Sequence, residues 1–187
     1  MGDILRGRDM STVTPKGELQ TLLIPKEIQT IIEGDPNKPA NFKTFTRLEA
    51  LHVRNGRVIG KRIIYNKKFT TAGRDFLIDA FQNLVELELM RFHDSGTGVV
   101  AESNADTALG TPAGPARVSG TQVENGSNTY RTVATIAYTA TLAITEHGIF
   151  SASAAGTLLD RTVFTAINVV SGDSIQFTFD ISDSAAA

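Results

Sequence analysis

The end of the chain alternates with a period of two. Ile175, Phe177, Phe179 and Ile181 interleave with Ser174, Gln176, Thr178 and Asp180. This is the pattern of a strand with one face on a core and the other in water. The same alternation runs through Tyr130, Thr132, Ala134, Ile136 and Tyr138, and shorter apolar sets follow at Leu142, Ile144 and Phe150 and at Leu159, Val163 and Phe164. No proline occurs after Pro115, and turn residues (Gly126, Gly156, Ser171-Gly172-Asp173) punctuate the segment. Short strands so bounded, with no strand-helix-strand alternation and no internal repeat, predict a mainly β chain. The expected architecture is an antiparallel β-sandwich, jelly-roll-like, with its later strands in residues 116–183.

Upstream, Asn55-Gly56 separates two strand-like runs, 45–54 and 57–65. Asn-Gly favours the type I′ turn, whose twist suits a hairpin. The segment 44–69 is therefore read as a basic hairpin carrying Arg54, Arg57, Lys61, Arg62, Lys67 and Lys68. One short helix is predicted over 71–83, with Thr70 or Thr71 as N-cap and Asp75 near the positive end of its dipole. Phe76, Leu77, Ala80, Phe81 and Leu84 recur at helical spacing and are expected to form one buried stripe. Residues 94–115 are small, polar and rich in Gly and Pro, which predicts a long loop with little structure of its own.

Residues 1–43 hold four of the six prolines and the turn-rich run Gly34-Asp35-Pro36-Asn37-Lys38-Pro39. Proline removes a backbone donor and extends the residue before it, so this segment reads as an extended N-terminal arm to a sandwich domain of 44–187. Its Leu22, Leu23, Ile24, Ile28, Ile31 and Ile32 need a surface to cover them. That surface is either another protein or the arm's own domain.

Composition removes several classes. With 41% hydrophobic and 20% charged residues in 187, the chain can bury a core and is not disordered throughout. No run approaches the ~20 apolar residues of a membrane helix. Met1-Gly2-Asp3-Ile4-Leu5-Arg6 lacks the form of a signal peptide, so a soluble product without a membrane partner is expected. There is no cysteine for a disulfide framework or a thiolate zinc site. The net charge of −2 hides a split: residues 1–68 carry thirteen basic and seven acidic side chains, and residues 69–187 five basic and thirteen acidic. Every lysine lies in the first part, an asymmetry that points to an interaction surface.

Motifs for chemistry are weak. His52, His93 and His147 fall in three elements without metal-ligand spacing, so isolated strand histidines are expected. Glu146 and His147 are sequence neighbours and point to opposite faces of a strand. Ser95, preceded by Phe92, His93 and Asp94, lacks the Gly-x-Ser-x-Gly turn and is read as loop. Gly96-Thr97-Gly98 lacks the Lys-Ser/Thr of a phosphate cradle. Glu86 and Glu88 share a face of a predicted strand, in which a solvated face is the ordinary reading. The basic hairpin has no interleaved aromatics and sits in a chain of pI about 5.9, which argues against nucleic acid and for an acidic protein partner.

From Phe69 onward the chain resembles virion structural proteins of tailed bacteriophages. The likeness is carried, in order, by Thr70-Thr71-Ala72-Gly73-Arg74-Asp75-Phe76-Leu77, by Gly96-Thr97-Gly98, and by Asp106-Thr107-Ala108-Leu109-Gly110-Thr111. It continues through Asn128-Thr129-Tyr130-Arg131-Thr132-Val133-Ala134-Thr135, Ile144-Thr145-Glu146-His147-Gly148-Ile149-Phe150, Gly156-Thr157-Leu158-Leu159-Asp160-Arg161 and Ser171-Gly172-Asp173-Ser174. Proteins of this size with an N-terminal arm are similar to capsid cement, or decoration, proteins. The resemblance implies a non-enzymatic homotrimer on the capsid exterior, made in the bacterial host cytoplasm, that binds the major capsid protein lattice and stabilises the mature head. It brings no catalytic residue, metal, cofactor or small-molecule substrate. The arm lies outside the likeness, and its capsid-binding role is inferred from its composition. The alternative is a tail fibre or baseplate adaptor that binds a host receptor or another tail protein. A surface polysaccharide hydrolase would need a converging carboxylate pair and solenoid repeats, which the sequence does not display.

Overall fold

The computed structural model describes residues 10–13, 19–22, 43–65 and 68–184, with side chains from 45–65 and 68–182. The chain divides into two compact units. In the first, Met1–Lys43 with Ser184–Ala187, strand β1 (Met10–Val13) pairs antiparallel with β2 (Leu19–Leu22). The second, Thr44–Asp183, is mainly β. Among its described residues it forms two five-stranded antiparallel sheets with one α-helix.

The elements of the second unit, in chain order, are β3 (Lys43–Arg54), β4 (Arg57–Tyr65), β5 (Lys68–Phe69), helix α1 (Thr71–Phe81), a 3-10 turn (Leu87–Leu89) and β6 (Phe92–Gly96). After them come β7 (Val118–Ser119), β8 (Thr121–Gln122), β9 (Thr129–Ala137), β10 (Leu142–Phe150), β11 (Leu158–Val169) and β12 (Ser174–Ser184). One sheet has the order β5-β11-β10-β6-β7 and the other β4-β3-β12-β9-β8. The chain therefore changes sheet after β4, β7, β9 and β11, while β3–β4 and β10–β11 are hairpins. At the first hairpin, Asn55 and Gly56 both have positive φ (51° and 74°), as a type I′ turn demands.

The alternation that opened the sequence is the core of the sandwich. Ile175, Phe177 and Phe179 of β12 are fully buried, and their register partners on β9 are Ile136, Ala134 and Thr132. Each phenylalanine thus faces a small residue, which lets the side chains of the opposite sheet interdigitate. Those are Ile144 and Ile149 of β10 and Leu159, Ile167 and Val169 of β11, joined by Leu48 and Ala50 of β3. Strand β10 differs, because residues 144–150 are all buried. One face meets the core, and the other lies under the 97–117 segment, whose Leu109 packs on Phe150 and Leu158. A strand covered on both faces cannot alternate cleanly, and this one does not.

Three expectations are corrected. The helical stripe is only partly buried: Phe76 is buried and Leu77 and Ala80 are half-buried, whereas Phe81 and Leu84 are 80% and 68% exposed. The helix is held at its start, where the Thr70 hydroxyl accepts from the Gly73 N–H (2.9 Å) and the Thr70 N–H donates to the Leu159 carbonyl (2.9 Å). It stops at Phe81 because Asn83 turns left-handed (φ 59°), with Asn83 N–H to Ala80 and Leu84 N–H to Asp79 closing a Schellman cap. Secondly, residues 94–96 belong to β6, which pairs with β10, and are not loop. Thirdly, Glu86 and Glu88 sit at a 3-10 turn and not on a strand.

Candidate functional site

The six cations of the basic hairpin separate by role. Arg54 grips Asp173 with two hydrogen bonds of 2.7 Å, and His52 adds a third at 2.8 Å. These contacts and the Val170 N–H hold the Asp173 carboxyl well below the usual carboxylate range, the Arg54 bonds contributing most. Lys61 pairs with Glu49 at 3.1 Å, and Arg47 also pairs with Glu49. Among the described residues Arg62 reaches only the Ala166 carbonyl (3.4 Å). Arg57 and Lys68 are exposed and have no side-chain partner among the described residues. Lys67 lies outside the described residues. So do Leu23, Ile24, Ile28, Ile31 and Ile32 of the arm, and for Leu22 only the backbone, in β2, is described.

The glycine-rich segment, which lacks the sequence of a phosphate cradle, is nonetheless an anion nest, filled by the protein's own Glu146. Oε1 of Glu146 accepts from the backbone N–H groups of Gly98 (3.0 Å) and Thr111 (2.7 Å), and Oε2 from Gly110 (2.9 Å) and from Arg161 Nε (2.8 Å). Arg161 also binds Asp106 (2.9 Å) and the Val100 carbonyl (3.1 Å). Burial opposes ionisation of Glu146, but the four donors outweigh it and hold the carboxyl below its ordinary range. Gly96 and Gly98 must be glycine because a Cβ at either would collide with the Glu146 carboxylate. The segment predicted to lack structure is therefore pinned along its length by one carboxylate and one guanidinium.

His93, Asp94 and Ser95 form no triad. On β6 the outer two face the core and the middle one faces away. Ser95 Oγ lies 2.9 Å from Tyr138 Oη, and Asp94 accepts from Arg117 Nε (3.2 Å) and from the Ser95 N–H (2.9 Å). The Arg117 guanidinium stacks 3.4 Å above the Phe150 ring. The histidines are not isolated, as the sequence led us to expect. His93 Nδ1 is 3.0 Å from His147 Nε2, and both side chains are fully buried. His93 Nε2 meets Thr132 Oγ1 (3.2 Å), and His147 packs on Phe177 with ring centroids 4.5 Å apart. Burial pushes the His93 imidazole down to about 3 and that of His147 well below its ordinary value. The pair is neutral at physiological pH.

No protein-family model, curated protein or solved structure matches the chain. Its surface is the remaining guide. Apart from these internally satisfied groups, the conspicuous features are two exposed apolar regions. One is β4, which ends its sheet and is exposed at Val58 (59%), Ile59 (51%), Ile63 (41%) and Tyr65 (59%). The other runs from the end of α1 through the 3-10 turn: Ile78, Phe81, Leu84, Leu87 and Leu89. Beside it is a cleft of about 460 Å³ lined by Leu87, Glu88, Gln122, Val123, Glu124 and Tyr130, among others. Sequence reasoning missed this second region because helical spacing alone made Phe81 and Leu84 look like core.

Proposed function

We propose that this protein is a non-enzymatic structural component of a tailed-phage virion, a cement protein that binds the major capsid protein on the head exterior and also associates with itself. The observation that carries the protein-binding part is the edge strand β4. It leaves four large apolar side chains in water, with Arg57, which has no partner among the described residues, and with its outer row of backbone groups unprotected by proline. Such an edge is a liability unless another chain covers it. The virion part rests on the ordered resemblance from Thr70 to Ser174 described above. The buried carboxylates and histidines each have a role in holding the fold, and the reading asks no chemistry of them.

Binding only the expanded lattice would stabilise it by mass action, and many copies per particle turn a modest affinity into a strong effect. Quantifying this protein against the major capsid protein in purified particles tests the assignment. Hundreds of copies per virion are expected of a cement protein, whereas a few tens or fewer would move the reading to a tail fibre or baseplate adaptor.

A further inference from the structure

The exposed β4 edge and the cleft beside β8 lie at opposite ends of one sheet and carry opposite charge. In the order β4-β3-β12-β9-β8, strand β4 is one edge and β8 the other. At the first edge Val58 and Ile59 are flanked by Arg57 and Arg62. A bulge between His52 and Val53 of β3 leaves Ile59 as the extra residue opposite, so this edge is bent as well as exposed. At the second edge, Gln122 of β8 donates to the Glu88 carbonyl (3.2 Å), which fixes the 3-10 turn against the strand. This contact borders the cleft, whose lining includes Leu87 (44% exposed) and Val123 (43% exposed) together with Glu88 and Glu124. Neither carboxylate has a partner among the described residues. The one cation lining the cleft, Arg131, is already matched by Asp180 through bonds of 2.7 and 2.8 Å. The cleft therefore presents apolar surface with a net negative rim, and β4 presents apolar surface with a positive one.

We propose that the β4 edge of one copy docks into the β8 cleft of a second copy, head to tail. Val58 and Ile59 then cover Leu87 and Val123, while Arg57 and Arg62 face Glu88 and Glu124. Because the two surfaces differ, the contact is heterologous, and each added copy presents one free edge of each kind until a ring closes. The inference rests on the self-association in the proposed function but not on the capsid.

The test is the mass of the full chain by size exclusion with light scattering over a concentration series, for wild type and three variants. R57E/R62E reverses one edge and E88K/E124K the other. The four-fold variant R57E/R62E/E88K/E124K reverses both and restores complementarity. Opposed like charges should raise the dissociation concentration of each two-site variant at least ~10-fold. The four-fold variant should return to within ~3-fold of wild type, a rescue that general destabilisation cannot give. Val58→Asp should dissociate the assembly by the apolar route. All the altered side chains are exposed, and unchanged circular dichroism confirms that each variant is folded. A monomeric wild type would assign the edges to the chain's own N-terminal segment or to a different protein, and would overturn the proposal. So would a response to only one of the two reversals, or a four-fold variant that stays apart. Loss of head binding by a wild type that still assembles would sink the proposed function and leave this inference standing.

Discussion

Glu146 is fully buried, and its carboxylate organises the segment from Gly98 to Thr111 through three backbone N–H groups and Arg161. Removing one member of such a buried pair strands the other, so Glu146→Ala should destabilise the protein by about 3–5 kcal/mol. For a chain of this size each kcal/mol lowers Tm by about 2–4 °C. Thermal melts check the magnitude, and limited proteolysis should find new cuts between residues 98 and 111; an unchanged digestion pattern would refute the clamp. Because the folded Glu146 carboxyl titrates below its unfolded value, its contribution is complete above about pH 4.5 and fades as pH falls further. His93 and His147 act in a higher window. Their folded values lie below the unfolded value of about 6.5, so the unfolded chain takes up protons first, and stability falls as pH drops from there towards 3. Each histidine contributes a slope of about 1.4 kcal/mol per pH unit at its steepest. Urea titrations of wild type and His147→Gln between pH 7 and 5 should show the shallower dependence in the variant. The opposite facing of Glu146 and His147 was legible in the sequence, but the partners of these groups were not. Glu146 and His147 are adjacent yet serve opposite faces of β10, and the partner of His147 lies 54 positions away on β6. Only the strand pairing brings it near.

Among the elements, legibility followed the number of buried faces. Strand β12 has one face on the core, so its Ile and Phe residues alternate with polar ones and read directly. Strand β10 is buried on both faces, and its Thr-Glu-His-Gly run carries no period. The start of helix α1 was visible in its Thr cap and its end in Asn83, but its orientation was not. Helical spacing says which residues share a face and is silent on whether anything lies beneath it. Gly73 shows what does lie beneath the first turn: a Cβ there would come within 2.7 Å of Leu159 Cα and of its carbonyl oxygen. In an exposed helix Gly→Ala is favourable by up to ~1 kcal/mol. Here the sign should reverse, with Gly73→Ala costing about 1–3 kcal/mol as the helix is pushed off β11. A lower urea midpoint at constant m-value is the expected result, and a raised midpoint would show the helix free to shift.

For the whole molecule, the division at Lys43/Thr44 predicts that a chain of residues 44–187 folds, with a cooperative melt and the β-type circular dichroism of the full protein. In the proposed function that chain no longer binds phage heads, and retained binding would remove the assigned role of the arm. The charge split was legible in the sequence, but its meaning was only half so. Arg47, Arg54 and Lys61 serve internal ion pairs, which leaves a smaller cationic surface than the count of thirteen suggests. Arg47 with Asp180 of β12 and Arg54 with Asp173, the residue just before it, also tie β3 to the two ends of that strand, and the first and last strands of the unit run side by side within one sheet. This arrangement governs how the unit takes mechanical load. A pull transmitted through residue 43 along the strand enters β3, which is bonded on one flank to β4 and on the other to β12. The bonds of both ladders then resist in shear, all at once, instead of opening one by one as they would if the chain entered at an edge.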